Sequence, residues 1–340
     1  MHPAWRTLLQ KTSLEDDPYG AAHFGDPSTE SAMLLGDGTH CPLPGVGVIQ
    51  VRGEDARAFL HAQLTQDIES LETGEARLAG YCNPKGRLLA VLQVLLADDG
   101  YLLLAERGLL DSLIRRLRMY ILRSRVSLDD VTGQYQAIGV AGGRMELLTD
   151  VVGTLPDAPG RVHQAGDLLA FRPFSSESVL LLATAHETPS LWERLQAAGP
   201  PAGPQAWRLL AIRHGLPAVY PETIESFVPQ QVNLEITEGV HFRKGCYPGQ
   251  EVVARMHYLG RPSRRMYRFG AGHGHLPAAG VRISDGDDRT AGTVVQAAIG
   301  PEETELLAVL RTACEGRQDL TAEGLALSPR DLPYDPNPEA

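Results

Sequence analysis

The chain has 340 residues, 43% hydrophobic and 6% aromatic, with 31 Lys and Arg against 42 Asp and Glu and a formal net charge of -11. That length and apolar content can bury two or three cores, and the acidic balance argues against a protein whose main task is to grip a long phosphate backbone. No apolar run reaches membrane-spanning length, and the N-terminus lacks a charged start followed by a continuous apolar stretch, so no membrane partner and a cytoplasmic location are expected.

Residues 1–40 are read as an N-terminal extension, with a helix around Trp5 to Leu9 and then a Gly/Ser/Asp-rich connector. Gly47 to Arg52 alternates as a strand, and Asp55 to Asp67 places Ala58, Phe59 and Ala62 on one helical side, which begins a β-α unit. Arg87 to Leu96 and Tyr101 to Ala105 are apolar runs parted by Asp98, Asp99 and Gly100, the pattern of a hairpin. Leu110, Leu113, Ile114, Leu117 and Ile121 recur at amphipathic helical spacing. A second pass starts at Tyr135: a strand through Ile138 to Val140, a short helix near Arg144 to Leu148, strands at Leu168 to Phe171 and Val179 to Leu182, and a helix from Pro189 to Ala198. The two passes suggest a duplicated α+β unit by pattern, although no identity between them is visible. The Pro/Gly-rich stretch Ala198 to Gln205 is a joint. Beyond Pro262, short alternating runs at Arg265 to Phe269, Gly280 to Ile283, Gly292 to Ala297 and Glu305 to Leu310 predict a small all-β barrel. The expected domains are a core over 41–261, in halves of about 41–133 and 134–261, and a barrel over 262–335.

Cys41, Cys82, Cys246 and Cys314 are scattered without CxxC spacing, which suggests neither a zinc ribbon nor a disulfide scaffold; no metal site is expected. Cys246 is singled out by its setting in KGCYPGQE, Lys244 to Glu251. A lysine and the start of a helix both favour a thiolate over a thiol. On an extended segment Lys244 and Cys246 would point to the same side. Gly245 and Gly249 permit tight turning, and Gln250 and Glu251 fall in the first helical turn, where capping is as good a reading as ligand contact. A structural turn carrying a satisfied cysteine is the alternative for the whole block. No histidine is assigned a role. Arg115, Arg116, Arg118, Arg123 and Arg125 crowd one segment, and Arg255, Arg261, Arg264, Arg265 and Arg268 another. Each cluster reads as a solvated face and charged loop, as a nucleic-acid contact, or as a binder of carboxylates.

The motif block, with SFVPQQVNLE (Ser226 to Glu235) before it and VVARMHYLGRPSRR (Val252 to Arg265) after it, resembles the YgfZ-type folate-binding proteins, relatives of the aminomethyltransferases of glycine cleavage. GEDARAFLHAQLTQDI (Gly53 to Ile68), GYCNPKGRLL (Gly80 to Leu89), RMYILRSRV (Arg118 to Val126) and WRLLAIRHGLP (Trp207 to Pro217) follow in the family's order, so the resemblance runs from about Cys41 to Tyr334. It implies an α+β fold: a duplicated, ferredoxin-like-type folate-binding core with a C-terminal β-barrel. It also implies a non-covalently bound tetrahydrofolate or derivative in a cavity between the core domains. Trp207 would stack on the ligand, the other reading being a helix tryptophan that anchors the core. Lys244, Tyr247, Gln250, Glu251 and Arg255 would be further contacts, and Cys246 with Lys244 would form the functional thiol site. A second family tryptophan has no match, since Val46 or a neighbouring glycine stands there.

Aminomethyltransferases carry an acidic pair where this chain has Leu88, Leu89 and Ala90, and their Arg-Leu-Glu before a glycine is replaced within Ala211, Ile212, Arg213, His214 and Gly215. Acid/base work on an aminomethyl carrier needs a titratable group in place. A classical aminomethyltransferase is therefore not expected, and the resemblance to YgfZ-type proteins implies instead a factor for iron-sulfur cluster assembly or repair that indirectly supports tRNA modification. Its partners would be folate and iron-sulfur assembly or client proteins. Two alternatives stay open: a folate-dependent methyl or aminomethyl transferase with its acid moved to a residue such as Glu177, and an adaptor that binds tRNA directly, the less favoured of the partner readings.

Overall fold

A computed structural model of the chain describes Trp5, Leu9, Thr149, Ser175 and residues 14–143, 153–173, 177–260 and 262–337. Its packing defines two units: Met1–Ala56, Leu71–Arg77 and Gln93–Trp207 form the first, and Arg57–Ser70, Leu78–Leu92 and Arg208–Ala340 the second.

The first unit opens with the hairpin β1 (Glu15–Asp17) and β2 (Gly20–His23), then α1 (Pro27–Leu35), β3 (Thr39–Pro42) and β4 (Val46–Arg52). Helix α2 (Ala56–Gln63) and strands β5 (Ala76–Cys82) and β6 (Leu88–Ala97) carry residues of both units. There follow β7 (Gly100–Glu106), α3 (Leu110–Arg118), β8 (Ser127–Asp130), β9 (Tyr135–Ala141), β10 (Val162–Ala165), β11 (Leu168–Phe171), β12 (Ser178–Thr184) and α4 (Thr188–Ala198). The predicted hairpin forms as β6 and β7, closing at Ala97 opposite Gly100. Helix α3 buries Leu110, Leu113, Ile114 and Leu117, the predicted stripe, and ends one turn before Ile121.

The duplication is visible in strand order. One sheet runs β5-β6-β7-β4-β8 and the other β10-β11-β12-β9-β3. In each, three consecutive strands lie beside the strand that precedes them, and an edge strand closes the far side. In the second sheet that edge is β3, which comes from earlier in the chain and pairs antiparallel with β9, Thr39 opposite Ala141. Residues before 41 therefore contribute to this sheet. Trp5 and Leu9 also enter its core with Ile138, Val140, Leu181, Trp192 and Leu195. The Leu9 N–H donates to the Trp5 carbonyl at 2.9 Å, one helical turn as expected. Trp5 meets Trp192 edge-on at 5.3 Å between ring centroids, a favoured aromatic geometry. The helix expected near Arg144 to Leu148 and the residue Arg261 lie outside the described residues.

Helix α5 (Pro204–Arg213) leads into the second unit, which holds α6 (Gln250–Leu259) and the strands β13 (Arg264–Ala271), β14 (Arg282–Ser284), β15 (Thr290–Ile299), β16 (Thr304–Arg311), β17 (Thr321–Ala322) and β18 (Leu325–Arg330). These six close a barrel in the order β13-β16-β15-β14-β17-β18. β18 returns to β13 with Arg268 opposite Arg330, so the barrel leaves no open edge. β17 and β18 escape the sequence pattern because one is two residues long and the other is mostly exposed and contains Pro329. The fold is α+β, with a duplicated sheet arrangement and a C-terminal barrel.

Two members of the second arginine cluster, Arg265 and Arg268, are drawn onto carboxylates rather than left on a charged loop. Arg265 is buried, pairs with Glu235 and donates to the Gln230 carbonyl at 2.8 Å. Arg268 lies 3.7 Å from the buried Glu305, which also receives Arg213 at 2.6 Å. The two stand three residues apart, so alternation along β13 sends them to opposite faces of the strand, each to its own carboxylate.

Candidate functional site

The residues of KGCYPGQE lie together in the second unit, held by two segments that are distant in sequence. The first is the end of α2 and the loop after it. Thr65 donates its hydroxyl to the Gly239 carbonyl at 2.6 Å and accepts the Gly80 N–H at 2.7 Å, and its carbonyl accepts the His241 N–H at 3.0 Å. Gln66 donates its side-chain amide to the Glu238 carbonyl. These bonds fix the irregular approach to the motif.

Lys244 is 8% exposed and runs back into the protein. Its ammonium donates to the carbonyls of His61 and Leu64, the second at 2.7 Å, and lies 4.9 Å from the centre of the Tyr247 ring. The last carbonyls of a helix have no partner within the helix and sit at its negative end, so a cation there satisfies both needs. Burial pushes the Lys244 pKa down to about 8, against the opposing pull of Asp67, Glu69 and Cys246. Tyr247 is buried, and that burial, with Cys82 nearby, raises its phenol pKa.

Cys246, by contrast, is exposed, and the other three cysteines are buried. The expectation that Lys244 and Cys246 share one side is thus corrected: the chain turns and bends over 242–244, and the two side chains face opposite environments. Burial drives the thiol of Cys82 up to about 12 and that of Cys41 higher still.

His61, to which sequence reasoning gave no role, is the second brace. Its Nδ1 accepts the Ile68 and Glu69 N–H groups at 3.3 Å each and lies 3.2 Å from Asp67. A Cβ added at Gly245 would lie 3.3 Å from its Nε2, so the ring sits against the glycine beside Cys246. Burial first, and then the Lys244 charge, lower the His61 pKa. The expected helix runs on to Asp67 and leaves His61 at its middle; because the helix ends at Gln63, His61 falls in its last turn, where the loop can fold back onto the ring.

The other support is the turn Asn83–Gly86. The Asn83 carboxamide accepts the Lys85 and Arg87 N–H groups at 2.9 and 3.0 Å. Gly249, at φ +81°, packs so closely on this turn that an added Cβ would stand 2.5 Å from the Asn83 carbonyl oxygen and from the Gly86 backbone. Only glycine meets both the conformation and the contact. Gly249 is also the N-cap of α6. Gln250 is half-buried, while Glu251 and Arg255 are exposed on that helix. Gln230, from the preceding family segment, donates to the Val253 carbonyl at 2.7 Å and anchors α6 from beneath.

Trp207 lies in the first unit, half-buried on α5. Its indole lies flush on the β9 backbone, where a Cβ at Gly139 would come within 2.4 Å of the ring. Leu88, Leu89 and Ala90, where the resemblance led a carboxylate pair to be expected, are at most 5% exposed in β6. Arg213 is committed to Glu305, and His214 bonds the Leu210 carbonyl at 2.8 Å. Glu177 is exposed. Among the described residues no group of three or more His, Cys, Asp and Glu could hold a metal ion, and no helix is long and apolar enough to cross a membrane.

The duplicated sheets and the closed barrel have counterparts among known proteins. Residues 41–157 match the family model of the GCVT N-terminal domain. Over 98% of both chains the structure superposes on the glycine cleavage system aminomethyltransferase T from Bartonella henselae with a TM-score of 0.80 at 16% sequence identity. The class is therefore that of proteins with the aminomethyltransferase T fold. Within it, the chain is 32% identical to the tRNA-modifying protein YgfZ of Serratia proteamaculans, over 80% of this chain and 83% of that one. It is 31% identical to the protein of the same name from Photorhabdus laumondii, over 92% and 96%. This chain belongs to the YgfZ family.

Proposed function

We propose that the protein is a tetrahydrofolate-binding factor for the assembly or repair of iron-sulfur clusters, supporting tRNA modification through the enzymes that carry those clusters, and that Cys246 is its functional thiol. The observation that carries this reading is a pairing of opposites. The one exposed thiol among the four cysteines stands on a turn braced from both sides, while the strand positions of the transferase carboxylates are buried and apolar. A carboxyl group at Leu89 or Ala90 would face an apolar interior, so general acid/base chemistry has no seat there. The fold and the name carried by the relatives support the folate and tRNA parts of the proposal.

The chain's residues divide by what they are free to touch. Trp207, half-buried, would stack on a pterin or aminobenzoate ring; on α6 Gln250 is half-buried and Glu251 and Arg255 are exposed, and Arg255 suits a carboxylate. Lys244 and Tyr247 hold the turn from within. Cys246 would ligate cluster iron as a thiolate, its proton passing to solvent, or attack the disulfide or persulfide of a partner, whose own sulfur leaves as a thiol, with the cluster as cargo.

Two measurements test this. Titration with tetrahydrofolate should quench tryptophan fluorescence saturably, and Trp207→Phe should abolish most of the change, because Trp5 and Trp192 are no more than 2% exposed. In a strain lacking the natural gene, Cys246→Ser should fail to restore cluster-enzyme activity; full restoration would remove the thiol from the mechanism.

A further inference from the structure

The stretch Gly239–Arg265 holds six lysines and arginines and a single acid, Glu251, in a chain whose net charge is -11. Lys244 and Arg265 face inward, whereas Arg243 and Arg255 are exposed. Phe242, the residue before Arg243, and His257, two residues after Arg255, are stacked, with ring centroids 3.6 Å apart and planes 9° from parallel. Tyr258 stands edge-on to both, 4.8 Å from His257 at 73° and 6.3 Å from Phe242 at 68°. His257 is exposed even though Phe242 covers one face of its ring, so its other face looks outward; Tyr258 is 63% exposed. The three rings form a floor and a wall, and the exposed Arg243 and Arg255 are their near neighbours in sequence.

Scattered exposed aromatics need no explanation, but an ordered, solvent-facing group of rings flanked by arginines in an acidic protein does. We propose that this face of α6, with the turn at Phe242 and Arg243, binds the unpaired bases of an RNA loop. A base would stack on the open face of His257 against Tyr258, while Arg243 and Arg255 meet flanking phosphates. Unpaired bases offer free π-faces, which aromatic side chains accept without regard to sequence, and the backbone supplies the complementary charge. A continuous duplex keeps its bases stacked inside and offers nothing to the rings. This surface goes beyond the folate and cluster reading, and only Arg255 is shared with it.

The test uses the full chain and two fluorescein-labelled RNAs of equal length, a hairpin with an unpaired loop and a blunt duplex, followed by anisotropy across a salt series. The hairpin should bind about tenfold more tightly than the duplex, and Tyr258→Ala and His257→Ala should each weaken it by about tenfold. Arg243→Gln should reduce the slope of log affinity against log salt by about one. Equal affinity for hairpin and duplex, hairpin binding unchanged in both ring variants, or no hairpin binding at low salt would overturn the proposal. Tetrahydrofolate titration of the same ring variants, read at Trp207, separates the two readings. Loss of folate binding in the natural sequence with retained hairpin binding would defeat the folate reading alone.

Discussion

The ammonium of Lys244 lies 2.7 Å from the carbonyl oxygen of Leu64 and also bonds the carbonyl of His61, so the lysine of the KGC motif closes the C-terminal end of α2. The neighbouring Cys246 is presented to solvent by a turn whose inner side chain is fixed. Lys244→Met should leave both carbonyls without donors and cost about 1–3 kcal/mol, read as a lower urea midpoint at unchanged m-value. A variant as stable as the natural sequence would show that water replaces the ammonium.

The same residue sets a pH dependence. Its pKa in the folded chain is about 8, below the ordinary 10.5. Between those values the unfolded chain binds a proton that the folded one has released, so this group's contribution to stability rises with pH across the window. The stability difference between the natural sequence and Lys244→Met should therefore widen from about pH 8 towards pH 10.5 in urea titrations. A constant difference would mean that the carbonyls keep the lysine charged throughout.

Gly249 and Gly86 pack backbone to backbone. Gly249→Ala places a Cβ 2.5 Å from backbone atoms at φ +81°, which should cost at least about 1–3 kcal/mol in strain alone. Gly274→Ala is the control, because it shares a positive φ but opens on empty space. Thermal unfolding should rank Gly249→Ala well below Gly274→Ala; equal midpoints would show that the turn yields.

Thiol titration with an aromatic disulfide reagent should find one fast-reacting cysteine in the native chain, lost in Cys246→Ser, and four in denaturant, because Cys41, Cys82 and Cys314 are buried. Two fast thiols would show that one of the buried sites opens readily.

Arg265 and Glu235 form a buried pair, and burial raises the Glu235 pKa against the pull of the guanidinium. Arg265→Met alone should cost about 3–5 kcal/mol by stranding the carboxylate, whereas Arg265→Met with Glu235→Leu should recover most of it. Chemical denaturation of the two variants makes the comparison. A double variant as unstable as the single would mean that the Gln230 contact, rather than the charge pair, matters at this site.

Much of this protein follows from local residue order. Periodicity sufficed for β4, the β6–β7 hairpin, α3 and most of the barrel strands, because a buried face imposes its repeat on neighbouring residues. The apolar character of Leu89 and Ala90, and the setting of Cys246 before a helix, are likewise plain in the order of residues. What depended on tertiary structure was non-local. That β3 completes the second sheet, that Trp5 enters its core and that Arg265 points inward all depend on partners far away in sequence. So does the division of labour within the motif: Lys244 and Cys246 stand two residues apart and look equivalent in the sequence, but one finds the carbonyl end of α2 and the other finds water. A side chain's partner is chosen by which distant backbone groups would otherwise remain unsatisfied, and spacing along the chain carries no record of them.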